Sequence, residues 1–176
     1  MRIARTLTAG AATAALVTGV TVLGTGAASA ASYRCTTSSK TIDHPGSTAI
    51  SDDFDFKVTT CAKREGSYIY SKFTVNIDGP PGFSGYQVVN YNTRGLIQVK
   101  KSVSGTDPVV KYAYGPGLEG KMNSLNGYGN ATYTSPTVKH KPASGYRYLG
   151  DSVLQIDWKD DGAGLKSYSF SASPTV

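Results

Sequence analysis

The sequence predicts an all-β fold: a single immunoglobulin-like β-sandwich of about seven to nine strands behind a cleaved signal peptide. Three observations predict it. Apolar side chains recur at every second residue, as Ile69, Phe73, Val75 and Ile77 do against Tyr70, Lys72, Thr74 and Asn76. That is the period of a strand with one buried face. Clusters of glycine, proline, serine and aspartate punctuate the chain at near-regular spacing. Beyond residue 30, no stretch of ten residues carries an apolar stripe at helical spacing.

Residues 1–30 read as the signal peptide. Arg2 and Arg5 form a short basic region, and Leu7, Leu16, Val17, Val20, Val22 and Leu23 form an apolar run. Ala28-Ser29-Ala30 then offers small residues for cleavage after Ala30. The reading places the protein outside the cell, as one secreted domain over residues 31–176. No later segment approaches the ~20 apolar residues of a membrane helix, so no membrane insertion is expected.

The elements follow in order. Ala31–Ile50 is polar and rich in serine and threonine, and reads as a first strand region or a free arm. It holds Cys35, and Cys61 is the only other cysteine. An even pair in an oxidising compartment predicts a disulfide, stapling this region to the strand after Phe54. In that strand Phe54, Phe56 and Val58 alternate with Asp55, Lys57 and Thr59. Lys63-Arg64-Glu65-Gly66-Ser67 is a hairpin connection into the strand Tyr68–Ile77. Further strands are expected at Gly85–Tyr91, Leu96–Val103, Val109–Tyr114, Ala131–His140, Ser152–Trp158 and Leu165–Ala172. Gly115–Asn130 is a glycine-rich loop with one short helical turn at Glu119–Leu125. A small barrel is the competing architecture. Trp158 lies beyond both cysteines, so the cysteine–tryptophan–cysteine order of antibody domains is absent.

Asp157-Trp158-Lys159-Asp160-Asp161-Gly162-Ala163-Gly164 raises the question of a metal loop. A calcium loop of the EF-hand kind needs oxygen ligands at alternate positions and a closing glutamate. This segment has neither. Leu154, Ile156 and Trp158 alternate before it, and Tyr168, Phe170 and Ala172 after it. A hairpin with the favoured Asp161-Gly162 turn pair is the expected structure, with a weak calcium site as the alternative.

Catalysis is poorly supplied. There are two histidines. His44 precedes Pro45-Gly46 and reads as a surface loop residue; His140 sits between two lysines near a strand end. No zinc-binding spacing and no nucleophile-elbow serine occurs. Glu65 and Glu119 lie beside glycines and read as solvated charges. No catalytic residue, metal ligand or cofactor is expected. The chain carries a net charge of +6, with lysines scattered rather than striped. That suits an anionic wall or an acidic protein better than nucleic acid. The twelve tyrosines are the informative excess. Tyrosine offers rigid apolar area and a hydroxyl with few rotatable bonds. Tyr68, Tyr70, Tyr86, Tyr91, Tyr128, Tyr146 and Tyr148 are the candidate binding surface.

The signal peptide, the single-disulfide β-domain and the Tyr/Gly/Ser/Lys composition resemble those of small exported proteins of actinobacteria. Within that group the organisation resembles the bridging subunit of the secreted antibacterial assemblies called umbrella toxin particles. The resemblance implies a non-enzymatic adaptor joining larger toxin and lectin-like components, and it assigns no functional residue. The expected function is therefore protein binding in an extracellular assembly. The alternatives are a cell-wall or carbohydrate-binding module, and a hydrolase inhibitor presenting the loop Asp78–Gly85.

Overall fold

Alternating burial in two long strands sets the architecture. The computed structural model describes residues 31–45, 53–80, 87–125 and 129–176; residues 1–30, the expected signal peptide, lie outside them. Strand β2 (Phe54–Glu65) buries Phe54, Phe56, Val58, Thr60 and Ala62. Strand β3 (Tyr68–Asp78) buries Ile69, Ser71, Phe73, Val75 and Ile77. They form the expected hairpin, with Gly66 at φ 56° in the turn. Strand β1 (Arg34–Ile42) pairs antiparallel with the far side of β2. Cys35 and Cys61 stand directly opposite in that register, and they form the disulfide.

The remaining edge of this sheet is split. Strand β6 (Asn130–Thr134) pairs with Thr74–Asp78, and β7 (Val138–His140) pairs with Ile69–Ser71. One continuous strand over Ala131–His140 was the expectation. Pro136 breaks it, because proline has no N–H to give to a ladder. Ser135 bridges the gap: its Oγ accepts the Phe73 N–H and its own N–H goes to the Phe73 carbonyl.

The second sheet runs β5 (Val109–Gly115), β4 (Arg94–Lys101), β8 (Tyr148–Asp157), β9 (Leu165–Ser169), all antiparallel. β2 and β3 face β4 and β8 across the core. The architecture is thus a sandwich of two antiparallel sheets with nine strands among the described residues. A short helix α1 (Leu118–Asn123) buries Leu118 and Met122, close to where a helical turn was expected. The strand expected over Gly85–Tyr91 does not form in its described part; Val89 makes only an isolated bridge to Trp158. The Asn123 carboxamide oxygen instead captures the N–H groups of Val88 and Val89, which removes two donors from any ladder.

Trp158 is fully buried and lies 5.4 Å from Phe54. His44, expected in a surface loop, is buried edge-on against Trp158 with ring centroids 5.1 Å apart. The indole gives the imidazole an apolar wall, so the ring packs as a core residue. Tyr148, expected on the binding surface, is also buried; its hydroxyl accepts the Ala143 N–H. Both are corrections with one cause: each ring lies where the sheets can cover it.

The outer side of the sandwich is closed by the segment after β9. Ser173 N–H reaches the Gly150 carbonyl, and Tyr148 and Val176 exchange backbone hydrogen bonds. The same segment reaches the other sheet. Ser171 N–H donates to Ser38 Oγ, and Arg34 donates to the Thr175 carbonyl. Edge strand β1 is therefore tied to the opposite sheet, which reduces its availability as a pairing template.

Candidate binding face

The outward face of the first sheet carries the best-organised set of polar side chains. Because side chains alternate, residues opposite one another in register form rows across the sheet. One row is Thr37, Thr59, Thr74 and Thr134. Thr37 and Thr59 share a hydroxyl hydrogen bond of 2.8 Å. Beyond it lies the disulfide, with Lys72 opposite Cys61. The next row sets Lys63 against Tyr70, and Tyr70 against Lys139.

These two rows, together with Tyr33 and Tyr68, interleave cations and rings. Lys139 Nζ lies 3.8 Å from the centroid of Tyr68 and 5.7 Å from that of Tyr70. Lys63 Nζ lies 5.4 Å from Tyr70 and 5.0 Å from Tyr33, and Lys72 Nζ lies 4.6 Å from Tyr33. Exposed cation–ring contacts contribute about 0.5–1 kcal/mol each, so the array positions the ammonium groups more than it stabilises the fold. Lys63 also pairs with Glu65 at 2.7 Å, and that carboxylate holds the ammonium above its usual pKa. At the other end of the same face Asp55 and Asp78 stand opposite each other. The face is therefore polarised, basic and aromatic at one end, acidic at the other.

The tyrosines singled out from sequence scatter over the molecule. Tyr68 and Tyr70 join the basic array. Tyr91 is 84% exposed in a turn before β4. Tyr146 lies under Lys101, whose Nζ is 3.3 Å from its centroid. Tyr148 is buried, and Tyr86 and Tyr128 lie outside the described residues. Sequence reasoning missed Tyr33, Lys63, Lys72 and Lys139. The parity of Lys63 and Lys72 with the outward tyrosines was visible, but the register that aligns them was not.

The candidate chemical groups are already engaged. Asp157 is buried, and its carboxylate accepts from the side-chain amides of Asn90 and Asn92 at 3.2 Å each. It pins the turn before β4. The segment that follows is the expected hairpin, with Asp160 at φ 65°. The Asp161 carboxylate accepts the Ala163 N–H and pairs with Lys166 at 3.0 Å. Burial pushes its pKa up, but these partners and the Gly164 N–H outweigh that and hold it below the usual value. His140 packs against Tyr148, and burial, aided by the nearby Lys111 ammonium, holds its imidazole pKa down. Among the described residues no cluster of three or more His, Cys, Asp or Glu side chains is arranged to hold a metal ion, and no helix is long and apolar enough to cross a membrane. No family model, curated protein or solved structure matches the chain.

Proposed function

We propose that this is an exported, non-enzymatic adaptor that binds an acidic protein partner through the basic end of the first sheet's outer face. The observation that carries the reading is the interleaved array of Tyr33, Tyr68 and Tyr70 with Lys63, Lys72 and Lys139. Rings that hold the ammonium groups in place lower the ordering cost of binding. Aromatic anchors beside fixed cations suit carboxylate-bearing surfaces. Through its sequence resemblance the adaptor belongs in a secreted antibacterial assembly of the umbrella-toxin kind, bridging toxin and lectin-like components.

Gel filtration of the protein in the culture fluid of its source is the first test. It is expected to elute well above the mass of one chain, with other exported proteins in the peak. The variant Lys63→Glu/Lys72→Glu/Lys139→Glu is expected to elute as a free monomer while keeping its melting temperature within a few degrees. Elution of the native protein as a monomer, with no exported partner recovered at physiological salt, sinks the adaptor reading. Sedimentation of the wild type, but not the variant, with purified cell walls would transfer the same face to an anionic wall polymer.

A further inference from the structure

A second surface stands apart from the basic array. Between the turn before β4, the start of β4, the end of β5 and helix α1 lies a cleft of about 330 Å³. Tyr91, Asn92, Arg94, Tyr114 and Glu119 line it. We propose that this cleft binds a short neutral glycan.

The polar groups of the cleft are held by partners outside it. Arg94 donates through Nε to the Gln155 side-chain oxygen at 2.8 Å, and its guanidinium lies 4.0 Å from the Tyr114 ring centroid. Tyr114 is in turn wedged edge-on by Tyr112, 5.5 Å away. The Glu119 carboxylate accepts from the Asn123 amide at 2.6 Å, and Asn123 is itself fixed to Val88 and Val89. Asn92 is anchored on buried Asp157. Four lining residues thus keep their positions without a ligand, which is the condition for binding with little ordering cost.

The chemistry of the lining selects the ligand. One guanidinium and one carboxylate cancel, so neither an anionic nor a cationic ligand gains a net field. A fixed guanidinium, carboxylate and carboxamide together offer donors and acceptors to paired hydroxyls. Arg94 covers one face of Tyr114, which leaves Tyr91 as the free platform. An exposed tyrosine at a cleft rim presents the apolar ring and polar tip that the C–H face and hydroxyls of a pyranose need. The volume sits at the small end of the ~300–1,000 Å³ usual for small-molecule sites.

The test is titration calorimetry of the full mature chain with chitotetraose, cellotetraose and maltotetraose. Saturable binding of at least one is expected, unchanged when sodium chloride is raised to about 0.5 M, where charge–charge attraction is screened. Tyr91→Ala and Glu119→Gln are each expected to weaken it about tenfold or more at unchanged melting temperature. The triple lysine variant is expected to bind the same glycan normally, so failure here is separable from failure of the adaptor reading. A pull-down on peptidoglycan and on a glycosylated protein then distinguishes a wall source from a protein-linked one. No binding of any tetrasaccharide at millimolar concentration overturns the proposal. So does binding that Tyr91→Ala leaves intact, or binding that is lost at about 0.5 M sodium chloride.

Discussion

Tyr133 shows how one hydroxyl ties the two sheets together. It leaves β6 in the first sheet and ends at Gly95 and Gly115, which are directly paired in the second. Its hydroxyl donates to the Gly115 carbonyl at 2.9 Å. A Cβ on Gly115 would stand 2.0 Å from that hydroxyl oxygen, and one on Gly95 2.6 Å. The two glycines are a slot for the tyrosine. Tyr133→Phe leaves the buried Gly115 carbonyl without this partner, and is expected to cost about 1–3 kcal/mol in chemical denaturation. Gly115→Ala is expected to cost at least as much, and the double variant less than the sum, since removing the hydroxyl relieves the clash. Burial pushes the Tyr133 pKa up to about 12, with the Gly95 N–H acting the other way. Unfolded tyrosine titrates near ~10. The unfolded chain therefore loses this proton first, so stability falls as pH rises between about 10 and 12. The fall in melting temperature from pH 9 to pH 11 is expected to be smaller in Tyr133→Phe than in the wild type. None of this was legible in the sequence, where Gly95 and Gly115 read as a strand border and a loop start. A slot exists only once two strands are paired and a third residue crosses to it.

At the scale of elements, legibility followed how strongly each strand alternates. Strands β2 and β3 were plain because Phe54, Phe56 and Val58 in one, and Phe73, Val75 and Ile77 in the other, are large and apolar at successive alternate positions. Strand β1, Arg-Cys-Thr-Thr-Ser-Ser-Lys-Thr-Ile, offers no apolar face before Ile42 and reads as a polar arm. Its place comes from the disulfide and from side chains such as Ser38 and Arg34 that meet the segment after β9. The β8–β9 connection was legible because alternation resumes on both sides of it, and its acidic residues were a distraction. Asp157 fixes the turn before β4, and Asp161 serves its own loop. Calcium up to millimolar levels is expected to leave the melting temperature unchanged. A site with a Kd near ten micromolar would add about 2–3 kcal/mol at that concentration, which a thermal scan resolves. Asp160→Asn is the control, because asparagine tolerates the left-handed backbone at this position and alters only the charge. A rise with calcium in the wild type that disappears in Asp160→Asn would reinstate the metal loop.

The whole molecule presents two surfaces of different character, one basic and ringed by tyrosines, one neutral and recessed. The sequence supplied the tyrosine excess and the mild positive charge, and both stand in these surfaces. It did not divide them, because Tyr33, Tyr70 and Lys139 come from three separate stretches and meet only through sheet register. Arg94 and Glu119 likewise meet only because α1 folds back beside β4. The two surfaces are expected to answer differently to salt. Partner binding on the basic face should weaken as ionic strength rises, while glycan binding in the cleft should not. Measuring both on one preparation checks whether one chain holds two independent contacts.

The disulfide has a consequence for wear. Cys35 and Cys61 enclose the whole connection between β1 and β2. A protease that cuts between Asp43 and Asp53 severs the main chain, yet the fragments stay joined through sulfur. A clipped molecule is expected to migrate as one band without reductant and as two with it. Mass spectrometry should show the addition of one water and no loss of sequence. Because the disulfide fastens β1 to β2 across such a cut, a damaged copy should keep its basic face, and on a gel the damage shows only when the cystine is opened.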